Sequence, residues 1–323
     1  MRSLTSETLS GLWAATPTTW SSDGRLDEGA ISRNCQRHAE ARMDGVYTTD
    51  GDGEFYAIEL DEFQQLARVF GRAMEETGLD AQMGVTWVNT QGTIDRLRAS
   101  RDNGIVNVHV GIPFWMPPTR DNVFRFFDDL ANAVPESRWI HYAHPQAGPP
   151  LSGADYAELA SQFPEQFIGT KLVTDSIRQL TEILLHSPNL SHFVGDPTMT
   201  SGMQLGARGC YSYWANTLPG WARAWMDACL ANDWEEALAR HMKLMQWEID
   251  HASKLSKAGH RHGIIGKARA ALTSFLEDSG VTRAPYYPVP DDMRQELQRA
   301  FNEVWAEEIR AEGELLPINQ QKV

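Results

Sequence analysis

Short apolar stretches alternate with helix-length amphipathic stretches from Leu12 to Tyr213, and no other feature of the sequence restricts the fold as strongly. The strands read as Leu12–Thr16, Gly45–Thr49, Ala81–Val88, Val106–Ile112, Arg138–Ala143, Gln166–Val173, His192–Gly195 and Gly209–Tyr213. Between them, Leu26–Arg42, Leu60–Thr77, Thr93–Asn103, Asp121–Ala133, Gly153–Gln162, Ile177–His186 and Ser201–Ala207 read as helices. Strands that alternate with helices pair in parallel through right-handed crossovers, and eight such units close on themselves. The expected fold class is therefore α/β, a (β/α)8 TIM barrel. An open doubly wound sheet is the other architecture with this alternation, but no G-x-G-x-x-G follows the first strand. After the eighth strand come Trp221–Ala231, Trp234–Lys257, Ile264–Glu277 and Asp291–Arg310, more helix than a barrel needs for closure. The expected organisation is a barrel over 1–218, a C-terminal helical appendage over 219–310, and a frayed polar tail over 311–323.

Barrel enzymes carry their chemistry at the C-terminal ends of the strands, so those ends were read next. The second strand runs into the acidic, glycine-rich loop Asp50-Gly51-Asp52-Gly53-Glu54, and the third ends near Trp87 and Asn89. The fourth ends in Phe114-Trp115, the fifth carries Tyr142 and His144, and the sixth carries Lys171. Asp196 follows the seventh, and Tyr211, Tyr213, Trp214 and Asn216 come from the eighth. A lysine on a buried strand has a poorly solvated ammonium, and desolvation favours the neutral amine. Such an amine attacks carbonyl carbon and forms a Schiff base. Tyr142, on the neighbouring strand and just before a strand-ending proline, is the candidate proton shuttle.

The net charge of −14 argues against nucleic acid and anionic membranes as partners. A small acidic substrate stays open, because one site can be positive on an acidic protein. Cys35, Cys210 and Cys229 are too scattered for a disulfide framework or a zinc site, which suggests a reducing compartment, the cytoplasm. No signal peptide is expected, and no apolar run reaches membrane-spanning length. A metal-dependent lyase would draw on His141, His144, Asp50, Asp52 and Asp196. Strand alternation puts His141 and His144 on opposite faces, so no metal and no other cofactor is expected. His260-Arg261-His262 reads as an exposed loop or helix start, and Lys267 as structural or rim.

Gly45 to Glu54, Tyr142-Ala-His-Pro145, Gly169-Thr-Lys171 and Gly195-Asp196 fall in the order and spacing of one family. The chain resembles the dihydrodipicolinate synthase / N-acetylneuraminate lyase family of class I, Schiff-base-forming barrels, over roughly Leu12 to Leu276. The resemblance implies Lys171 as the imine lysine, Tyr142 as the proton shuttle, a 2-oxo acid substrate and a homo-oligomer, a dimer or tetramer. The departures are specific. Gly51 and Asp52 stand where that family has two threonines, and Pro145-Gln-Ala-Gly148 lacks the synthase's arginine. Trp115 stands where the synthase has a tyrosine. Lysine biosynthesis is therefore not expected. Pro113-Phe-Trp-Met116, Tyr142-Ala-His-Pro145 and the helical tail look most like the hydratase-aldolase branch, which implies an aryl-substituted 2-oxo-3-enoate split to an aldehyde and pyruvate. Asp50 to Gly53 would then orient the substrate near His144 and Asp196, with Trp115, Tyr211 and Tyr213 stacking on its ring. An aldolase or dehydratase for a polyhydroxylated 2-oxo acid and a non-catalytic small-molecule-binding barrel are the alternatives.

Overall fold

Eight parallel strands hydrogen-bond in sequence order and the last returns to the first, closing the expected barrel. The computed structural model describes residues 1–277 and 280–315. The chain opens with β1 (Gly11–Ala15), α1 (Glu28–Glu40), β2 (Gly45–Thr48), α2 (Leu60–Thr77), β3 (Asp80–Gly84) and α3 (Thr90–Asp102). It continues through β4 (Asn107–Val110), α4 (Arg120–Ala133), β5 (Arg138–Ala143), α5 (Gly153–Gln162), β6 (Phe167–Leu172) and α6 (Ile177–His186). The barrel closes with β7 (Ser191–Gly195), α7 (Met199–Gln204) and β8 (Gly209–Ser212). The third and fourth strands are shorter than the apolar runs that contain them, because their C-terminal residues turn off into the mouth loops. Local signals start the helices: Thr119 with Asn122 and Ser152 with Asp155 form reciprocal caps on α4 and α5, and Asp27 caps α1.

Alternation along the strands divides the core in two. Val46, Met83, Val108, Trp139, Phe167 and Leu172 face the helices, while Trp13, Tyr47, Ile140, Ile168, Phe193 and Tyr211 fill the barrel with Leu4 and Leu9 from the N-terminal segment. The β5–β6 pairing contains one irregularity. Trp139 pairs with Phe167 and Ile140 with Gly169, so Ile168 is an extra residue on β6. Such a bulge re-aims the side chains beyond it. Ile168 and Lys171 differ in parity, yet both face inward, and Thr170 between them bonds His192 outside the barrel.

The C-terminal helices are α8 (Pro219–Leu230), α9 (Trp234–Trp247), α10 (Ser253–Lys257), α11 (His262–Ala270), α12 (Asp291–Val304) and α13 (Ala306–Leu315). The helix expected over Trp234–Lys257 is interrupted by one π turn, Glu248–Ala252. The helix expected to end at Glu277 stops at Ala270; residues 271–277 are instead tied to α1, where Asn34 accepts from the Glu277 amide at 2.8 Å. The tail expected from 311 is helical through Leu315, and 316–323 lie outside the described residues. Trp214, Trp221, Trp247, Phe301 and Trp305 form one aromatic cluster that joins these helices to the barrel. Among the described residues no helix is long and apolar enough to cross a membrane.

Candidate active site

The loop after β2 folds tightly over the barrel mouth. Thr49 adopts φ 66°, a strained value for a β-branched residue, and its hydroxyl donates to the Gly84 carbonyl at 2.8 Å. The chain then doubles back, so a Cβ on Gly53 would lie 2.4 Å from the Thr49 nitrogen. This turn drives Asp50 into the barrel. Glycine at 84 makes the room, since a Cβ there would meet Asp50 Oδ1 at 2.3 Å.

Lys171 reaches the same place from β6. Its Nζ donates to Tyr47 Oη at 2.6 Å and to Asp50 Oδ2 at 3.0 Å. It also lies 4.0 Å from the Tyr142 ring centre and 4.3 Å from that of Tyr47, so two aromatic faces help to hold the cation. Asp50 Oδ2 has a second partner, His109 Nδ1, at 2.6 Å. His109 Nε2 is 2.6 Å from the Gln82 amide, which Tyr211 Oη also contacts at 2.8 Å. Burial lowers the affinity of His109 for a second proton, against the pull of Asp50. The Gln82 side-chain oxygen accepts from the Tyr211 hydroxyl and also faces His109 Nε2, so it joins the two rings on the side of His109 away from Asp50. Burial pushes the Asp50 carboxyl up, but Lys171 and His109 outweigh it and hold the group below the ordinary range.

Tyr142 is 9% exposed, and its hydroxyl has no hydrogen-bond partner among the described residues. A Cβ on Gly51 would lie 3.6 Å from it, so a threonine-like side chain at 51 would fill the space that this hydroxyl faces. Burial, with Asp50 and Asp52 adding to it, raises the Tyr142 phenol well above its usual range, which keeps it protonated. Tyr142 and Gly51 open onto a cavity of about 380 Å³. Phe55, Tyr56, Phe114 and Tyr286 give this cavity aromatic walls, and His144, Arg261 and His262 line it as well. A larger space of about 650 Å³ lies outside β5 and β6 against α5 and α6. It shares His144 with the first but lacks Tyr142 and Gly51, which line the smaller one beside Lys171.

Of the residues expected at the site, Lys171, Tyr142, Asp50, Gly51 and His144 come together. Gly53 supports the loop from below. Asp52 turns away: its carboxylate packs under α11, where a Cβ on Gly266 would be 2.8 Å from Oδ1, and burial raises its pKa against the pull of His262. Four other expected substrate contacts lie away from this cavity. Trp115 is 83% exposed and Phe114 takes the wall position, because the loop turns between them. Asp196 is fully buried and accepts from Ser212 Oγ at 2.6 Å and the Tyr213 amide at 2.9 Å, holding the ends of β7 and β8 together. Tyr211 lies inside the barrel below Lys171, and Tyr213 stacks on Arg269 with 4.3 Å from guanidinium carbon to ring centre. The sequence reading missed Tyr47, His109, Phe55, Tyr56, Arg261, His262 and Tyr286. His109 and Tyr47 carry a usable signal, since each is a polar group at an inward position of a short strand.

The Dihydrodipicolinate synthetase family model matches residues 8–304. The 4-hydroxy-tetrahydrodipicolinate synthase of Thermus thermophilus is 26% identical over 231 residues, covering 69% of this chain and 75% of that protein. A trans-O-hydroxybenzylidenepyruvate hydratase-aldolase of Pseudomonas aeruginosa is 22% identical over 323 residues, covering 94% of each. Among solved structures, a prophage protein of the dihydrodipicolinic acid synthase family from E. coli K12, in complex with pyruvate, superposes with a TM-score of 0.83. Its identity is 20%, with 92% of this chain and 98% of that one covered.

Proposed function

Because this chain belongs to the dihydrodipicolinate synthetase family, whose members are class I lyases, we propose that it binds a 2-oxo acid as a Schiff base on Lys171 and makes or breaks the bond beyond the α-carbon. The observation that carries this reading is the buried amine of Lys171 beside a base, Asp50 at 3.0 Å, under a cavity into which the free Tyr142 hydroxyl projects.

The ammonium must lose a proton before it attacks, and Asp50 Oδ2 is the acceptor in reach, backed by His109. The neutral amine adds to the 2-oxo carbon. The carbinolamine oxygen then leaves as water on taking a proton, and the protonated imine draws electrons from the neighbouring bond. Tyr142 is aimed at the space beyond the imine, where a proton is given or removed as that bond is hydrated, broken or made. The amides of Gly51 and Asp52 make no hydrogen bond among the described residues, which leaves them for the substrate carboxylate. Backbone donors here would do the work that hydroxyls at 51 and 52 cannot.

Two observations favour an aryl-substituted 2-oxo-3-enoate, split to an aromatic aldehyde and pyruvate. The cavity beyond Tyr142 is lined by Phe55, Tyr56, Phe114 and Tyr286, and the similarity to the hydratase-aldolase runs the length of both chains. A polyhydroxylated substrate is less well served, since Asp50 is engaged by Lys171 and His109 and Asp52 is turned under α11.

The test is borohydride trapping. The protein is incubated with pyruvate, reduced and digested, and the peptides are weighed. An adduct on the Lys171 peptide that is absent from Lys171→Ala supports the proposal. A folded protein that yields no adduct with pyruvate or with other 2-oxo acids refutes it.

A further inference from the structure

His260-Arg261-His262 forms the exposed start of α11, as the sequence suggests, and lines the rim of the cavity. Arg261 and His262 are exposed at the rim of the cavity, and the Arg261 side chain makes no ion pair and no hydrogen bond among the described residues, whereas the charges packed behind the cavity are matched. Lys171 pairs with Asp50, Lys267 with Glu54, Arg269 with Glu248 and Arg283 with Glu62. Asp52 acts on His262 from beneath α11. His144 adds a neutral donor. Burial lowers its pKa to about 4, with His262 and Lys171 acting in the same direction, and its Nδ1 accepts from the Gln146 amide at 3.2 Å, which leaves the proton on Nε2. The His144 and His262 ring centres are 5.3 Å apart. The Tyr56 hydroxyl, shielded from water and without a partner, completes the set. An unpaired guanidinium, imidazole N–H groups and a phenol form a donor-rich surface, and no carboxylate is among the residues that line the cavity.

We infer that the substrate carries a second anionic group, a carboxylate or a phosphoryl, at the end remote from its 2-oxo acid, and that Arg261 holds it with His262 and His144. This inference rests on the imine reading for the near end of the substrate. The far end is read from the wall opposite. A guanidinium is suited to both anions because its fork of N–H donors matches two oxygens at once.

The subsite can be read without turnover. Benzoate, phenyl phosphate and neutral benzamide are titrated calorimetrically into the protein in the presence of saturating pyruvate, which occupies the near carboxylate site. At least one anion is expected to bind with a Kd about tenfold or more below that of benzamide, in keeping with charge-assisted hydrogen bonds. That advantage is expected to fall about tenfold in Arg261→Gln, and to shrink as salt is raised. The stronger of the two anions identifies the source as carboxylate or phosphoryl. Anions that bind no better than benzamide overturn the inference, as does a preference that both Arg261→Gln and His262→Gln leave intact. Borohydride trapping in parallel separates the two claims. An adduct on Lys171 without anion preference leaves the imine reading standing alone, and anion preference without an adduct leaves the subsite standing alone.

Discussion

Lys267→Met tests the link between the barrel loop and the C-terminal wall. Lys267 Nζ lies 2.9 Å from Glu54 Oε2, and the two side chains are 2% and 0% exposed. The Trp20 indole donates to the same Glu54 oxygen at 2.7 Å, and the Arg283 amide reaches the other at 3.3 Å. Methionine keeps most of the lysine stem's volume but removes the only full positive charge within hydrogen-bonding distance of Glu54 among the described residues. Removing one partner of a buried pair costs about 3–5 kcal/mol, because the other charge is left in a medium that solvates it poorly. For a chain of this size that corresponds to roughly 4–7 °C in Tm. Thermal unfolding followed by far-ultraviolet circular dichroism gives the global change, and the fluorescence of Trp20 contributes a local signal. The double variant Glu54→Gln/Lys267→Met should regain more than half of the loss, since glutamine still accepts from the indole and no buried charge remains. A single variant within about 1 kcal/mol of the parent, or a double variant that loses the sum of the two singles, would show that the pair is solvated or that its geometry is incidental.

Tyr142→Phe should lower kcat by about 10²- to 10⁴-fold, the usual span for a proton-transfer group, while pyruvate is still trapped on Lys171, whose hydrogen-bond partners are Tyr47 and Asp50. Unchanged kcat would assign the proton transfer elsewhere. Burial raises Asp196 to about 6, so the folded protein binds this proton more tightly than the unfolded chain. The resulting stabilisation is complete below the unfolded value near 3.8 and is lost as pH rises through about 6, a change of about 3 kcal/mol. Urea midpoints measured from pH 4 to 7 should show that decline in the parent and a flatter profile in Asp196→Asn; parallel profiles would contradict it.

The barrel was legible because its signal is local and repeated: apolar strands, polar turns and capped helices recur in order. The buried lysine at the mouth, Lys171, was legible too, but only by position along the chain. Its direction was not, since strict alternation from Ile168 sends Lys171 outward, and the bulge that turns it inward leaves no mark in composition. Trp115 was read as a stacking aromatic in the place of the synthase's tyrosine, but the turn of a proline-rich loop decides that Phe114 lines the cavity. The acidic loop was read as a substrate clamp, whereas a strained Thr49 splits its two aspartates, sending Asp50 to Lys171 and Asp52 to α11. The wall built by Arg261 and His262 lay furthest out of reach, because it depends on how helices pack after the barrel has closed.

That wall has a consequence for the order in which the protein is made. Glu54 emerges early, and Arg283, which bonds it, follows 229 positions later. At bacterial and eukaryotic elongation rates the interval is roughly ten to fifty seconds. For about the last third of it the ribosome holds a chain whose eight strands are all synthesised while the segment that bonds Glu54 is still to come. Lys171 is thus made before the C-terminal helices that close the mouth of the barrel over it. Reactivity and selectivity arrive together, when the last quarter of the chain docks.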